Sequence, residues 1–73
     1  MEKELLERLW PIATSVVEEV YPNMKRLRPS HFEGAVAILV REFNYYDPSA
    51  IGSNEHVRDM MKMDLSELKE SLA

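Results

Sequence analysis

Residues 30–43 read SHFEGAVAILVREF, and the reading of this stretch decides the architecture. Ser30 followed by Glu33 matches the capping box that opens a helix, in which hydroxyl and carboxylate each take up one free backbone N–H. Pro29 restricts residue 28 and discourages an upstream helix from running in. Seven residues without charge follow, Gly34 to Val40. Phe32, Val36, Leu39 and Phe43 repeat at spacings of 4, 3 and 4, and Ala35, Ile38 and Val40 widen that stripe to most of the circumference. A segment apolar on nearly every side needs cover on nearly every side. Val36 to Val40 alone fits a buried strand as well as a helix. The cap signal, the flanking Arg41-Glu42 pair and the length decide for a helix over about His31 to Asn44.

Working outward, the upstream segment predicts a helix from Glu2 to Val20. Leu5, Leu9, Ile12, Val16 and Val20 form one stripe, and Leu6, Trp10, Ala13 and Val17 form a second beside it. Pro11 interrupts the pattern, since proline inside a helix removes a hydrogen bond and clashes with the preceding turn. It falls on the polar side, where the freed carbonyl of Glu7 reaches water, so a kinked continuous helix is preferred over two short ones. Tyr21-Pro22-Asn23 is a stop. Met24 and Leu27 are expected to tuck inward, in a short helical turn. Tyr45 to Ser53 is a loop punctuated by Asp47-Pro48 and Gly52. The last segment, about Asn54 to Leu72, keeps one stripe through Val57, Met61, Leu65, Leu68 and Leu72. Asp64 with Glu67 is a second capping-box match and marks a place where this helix could break.

The expected fold is therefore all-α, a small compact bundle of three or four helices with a buried central helix at about 31–44, in a single domain spanning 1–73. A chain of 73 residues buries only about 60% of its unfolded surface and is marginal alone. With no cysteine, neither disulfides nor thiolate metal sites can supplement the core. A hydrophobic fraction of 45% is too high for a disordered tail. The first residues carry acids where a secretory signal carries bases, and no apolar run is long enough to span a bilayer. A cytoplasmic protein with no membrane association is the expectation. The initiating Met1 favours a complete short chain, although the last apolar stripe reaches almost to its end.

Chemistry-bearing residues are sparse. His31 and His56 are the only histidines, and neither sits in a catalytic motif. Residues 47–52 superficially resemble the start of a calcium loop. The match fails at Ile51 and at Arg58, where the ligand positions need oxygen donors. No metal, no cofactor and no enzymatic activity are expected.

Binding is the remaining class. Helix 1 carries almost two apolar faces, more than one neighbour would cover. The sequence thus points to a small acidic interaction protein, a dimer or a module docking on a partner protein, such as an adaptor, regulatory subunit or inhibitor. The expected contacts are Leu6, Trp10 and Val17 on helix 1, the aromatic pair Tyr45 and Tyr46, where interface anchors are frequent, and Met63, from a residue type that suits adaptable surfaces. Glu4, Glu7, Glu18 and Glu19 would supply rim charge. An alternative is a nucleic-acid-associated regulator. Lys25, Arg26 and Arg28 cluster ahead of a helix N-terminus, an arrangement that attracts anions. The net charge of −4 weighs against a broad phosphate-binding face.

Overall fold

The computed structural model describes the backbone of residues 3–43 and 51–72 and the side chains of 3–43 and 51–67. Four helices account for nearly all of it: α1 Lys3–Val20, α2 Met24–Leu27, α3 Pro29–Phe43 and α4 Asn54–Leu72. There is no strand among the described residues. The all-α bundle is the one its periodicity predicts.

Helix α1 runs unbroken through Pro11. The proline is exposed, which leaves the orphaned carbonyl of Glu7 open to water. One turn on, Thr14 Oγ1 donates to the Trp10 carbonyl at 2.9 Å. The chain then turns through Tyr21-Pro22-Asn23 into α2, where Leu27 N–H bonds the Asn23 carbonyl at 3.0 Å. Arg28, with φ −141° and ψ 69°, separates α2 from α3. That conformation lies outside the α region, which the following proline disfavours.

The start of α3 differs from the expected capping box. Phe32 N–H already bonds the Arg28 carbonyl at 3.0 Å, so Pro29 is the first helical residue and Ser30 lies inside the helix. Proline suits that position because its φ is preset and its missing N–H would be unpaired there anyway. The better cap is downstream. Ser53 Oγ accepts from His56 N–H at 3.1 Å, and its carbonyl accepts from Val57 N–H at 3.0 Å. Helix α4 then continues past Asp64 without the break allowed for. Its apolar stripe was worth more than a second cap.

One core joins the helices: Leu5, Leu9, Ala13, Val16 and Val17 from α1, Phe32, Val36, Leu39, Val40 and Phe43 from α3, Ile51, and Val57, Met61 and Leu65 from α4. Helix α1 packs against both α3 and α4, while α2 lies on α3. The two helices α3 and α4 approach each other less closely. Polar ties follow the same order along α1 and α4, with Arg8 near Asn54 and Glu19 near Arg58 and Lys62, so these helices run in the same direction.

This arrangement corrects the expected coverage of α3. The helix stands where the sequence places it and buries five side chains. It is not covered on nearly every side: Gly34, Ala37 and Ile38 face out, with Ile38 52% exposed. The helix that is sandwiched is α1.

Gly52 is the one described residue with positive φ, at 88°. A Cβ added there would also meet His56 Cδ2 at 3.2 Å. Arg8 Nη2 donates to its carbonyl. Gly52→Ala is expected to destabilise the fold by about 1–3 kcal/mol, the usual cost of a strained backbone position. Leu9→Ala, at a fully buried site, should cost about 2–5 kcal/mol. Urea unfolding followed by circular dichroism measures both.

Candidate binding groove between α3 and α4

Because α1 holds α3 and α4 apart, a trough of about 450 Å³ opens between them. Leu39 forms its floor, Leu65 its α4 wall, and Ser30, His31, Gly34, Ala35 and Ile38 its α3 wall, with Tyr21 and Met24 closing one end. The lining is almost wholly apolar. Ile38 stands half out of it, while Leu27, 66% exposed on α2, lies outside its lining. A second, smaller hollow beneath α2 is lined by Val20, Pro22, Leu27 and Arg28.

The expected contact residues fare differently. Val17 has no exposed surface and belongs to the core, so it cannot meet a partner. Leu6 is partly buried against the same core. The reason is geometric: α1 packs against two neighbours, and of the second stripe Leu6, Ala13 and Val17 are taken up inside the bundle while Trp10 is not. Trp10 and Met63 do reach the surface, at 42% and 59% exposure, and neither lines the groove. Tyr45 and Tyr46 lie outside the described residues.

The basic cluster is also divided. Lys25 pairs with Glu18 at 3.1 Å and its Nζ sits 5.7 Å from the Phe32 ring centroid. Arg26 and Arg28 are exposed and form no ion pair among the described residues. Lys62 is committed to Glu19 at 2.8 Å, as is Arg58 at 3.2 Å. Among the described residues no group of three or more His, Asp or Glu is placed to hold a metal ion, and no helix is long and apolar enough to cross a membrane.

Two carboxylates are perturbed in opposite directions. The bonds from Lys62 and then Arg58 hold Glu19 below its ordinary value. Glu42 is pushed up, first by desolvation and then by the neighbouring Asp64 carboxyl. Asp64 immediately precedes Leu65, so this carboxyl pair marks the α4 end of the groove. One feature of the sequence bears on the groove. The uncharged run of α3 exceeds what two neighbouring helices can cover.

Comparison with protein-family profiles, curated protein sequences and solved structures gives no match.

The two shifts carry opposite pH signatures. A depressed carboxylate stabilises the fold above its unfolded value and loses that contribution as pH falls through the folded value; a raised one does the reverse. Glu42→Gln is therefore expected to raise stability at pH 7, with the gain fading on acidification. Glu19→Gln should lower stability at pH 7, with a deficit that shrinks in acid. Thermal melts of both variants between pH 3 and 7 check the signs.

Proposed function

We propose that this protein is a small non-enzymatic interaction module that acts by docking a protein segment in the α3–α4 groove. The observation that carries the reading is the apolar trough beside an exposed Ile38. Contiguous exposed apolar surface of this kind is costly in water and is found where a partner covers it. The trough is walled by α3 and α4, both anchored on α1, so it is preformed and little ordering cost attends binding. An adaptor, regulatory subunit or inhibitor would need no more than this.

This reading replaces the helix 1 face with the α3 face as the main contact. Trp10 and Met63 remain accessible and are proposed as peripheral contacts. A second reading rests on Arg26 and Arg28, exposed and without ion-pair partners among the described residues. They could engage nucleic-acid phosphate. Two guanidinium groups on an acidic chain support only weak, strongly salt-dependent binding.

A photo-crosslinking amino acid placed at Ile38 in the producing cells tests the docking reading. A discrete adduct joining this chain to one other polypeptide, whether different or a second copy, is expected. The same probe at Glu4, exposed on the first turn of α1, should give none. Equal labelling at both positions, or none at Ile38, would sink the reading.

A further inference from the structure

Helix α3 carries a glycine that the bundle itself does not need. Gly34 lies in the helix interior, where glycine costs about 1 kcal/mol relative to alanine. Its backbone has no positive φ, and a Cβ built on it meets no atom of the described residues within 4 Å. None of the described residues rejects alanine there. The missing side chain makes a dent on the outer face of α3. One turn along the same face stands Ile38, 52% exposed, a knob without a hole.

Knob and dent are four residues apart, which makes the face complementary to itself. If a second α3 packs antiparallel across the groove, Ile38 of each copy falls on Gly34 of the other. The same register brings Glu42 opposite Ser30 of the copy, because both are four residues further out. Charge agrees with this orientation. The Ser30 end holds the α3 N-terminus, with its unpaired amides and positive dipole end, and the exposed Arg28. The other end holds the Glu42 and Asp64 carboxyls, which crowd one another. These charged groups flank the groove along the α3 edge, Arg28 in the neighbouring hollow under α2 and Glu42 beyond Ile38, and that order of charge matches its own antiparallel copy, as a two-fold interface requires.

We propose that the occupant of the groove is a second copy of this chain, docked antiparallel along α3 about a two-fold axis between Gly34 and Ile38. The proposal rests on the docking reading above and names its partner. The dimer covers the exposed side of α3 and places the Glu42–Asp64 carboxyls against Arg28 and the helix N-terminus of the neighbour. Small domains commonly add oligomerisation to a marginal core.

Sedimentation equilibrium of the full chain over a concentration series tests it, with circular dichroism confirming that each variant folds. The unmodified chain should dimerise. Ile38→Asp should raise the dissociation constant by about thirtyfold or more, the effect of losing an interface anchor. Gly34→Leu should do the same while leaving the helical signal intact, since the site is open in the single chain. The charge test fixes orientation. Arg28→Glu and Glu42→Arg should each weaken self-association, and an equimolar mixture of the two variants should restore it, because both cross-contacts are then oppositely charged. A chain that stays monomeric to millimolar concentration overturns the second-copy assignment. The docking reading itself would survive that result if the probe at Ile38 still captured a different protein, and would fail with it otherwise. A dimer indifferent to Ile38→Asp and Gly34→Leu, or a charge mixture without rescue, also overturns the proposal.

Discussion

Helix α1 buries Leu9, Ala13, Val16 and Val17 completely, and its burial holds the other helices in place. Removing one such side chain from water is worth about 1.5–3 kcal/mol. These residues occupy two adjacent stripes, and the helix that carries them packs on both α3 and α4. A helix so placed acts as a spacer. The two helices packed on it cannot close against each other along their full length, and the groove between them follows from that separation.

The polar contacts refine this arrangement without creating it. Glu19 gathers Arg58 and Lys62 across the α1–α4 seam, and Arg8 ties α1 to Asn54 at the start of α4. Such exposed pairs contribute little to stability in water. Their effect is to fix the register of α4 on α1. Gly52 and the Ser53 cap do the corresponding work locally, turning the chain sharply so that Ile51 is buried and α4 starts at once.

Much of this was legible along the chain. All three long helices begin and end within about two residues of where periodicity and punctuation place them. Pro11 was correctly read as tolerable because it falls on the polar side. Local signals were less secure where two were in competition. Ser30 and Pro29 both offered a helix start, and the preset φ of proline prevailed over the hydroxyl. Ser53 sits among loop residues in the sequence, though its spacing to His56 suits an N-cap. The candidate site was the least legible part. An apolar stripe declares that it must be covered but not by what. Leu6, Trp10 and Val17 looked like a spare face, yet Val17 is spent in the core and Leu6 packs against it.

The sequence by itself determined the helices, their limits and the total apolar surface to be buried, because these depend on spacings of three and four residues and on caps and turns within a few positions. It also determined that no disulfide could reinforce the bundle, since there is no cysteine. Only the tertiary structure decided which helix lies between the others. That choice depends on how three amphipathic surfaces share a finite contact area, a property of the set and of no single segment. Once α1 took the middle, its two stripes were satisfied internally except at Trp10. The excess apolar surface passed to α3, where Gly34 and Ile38 now border the groove.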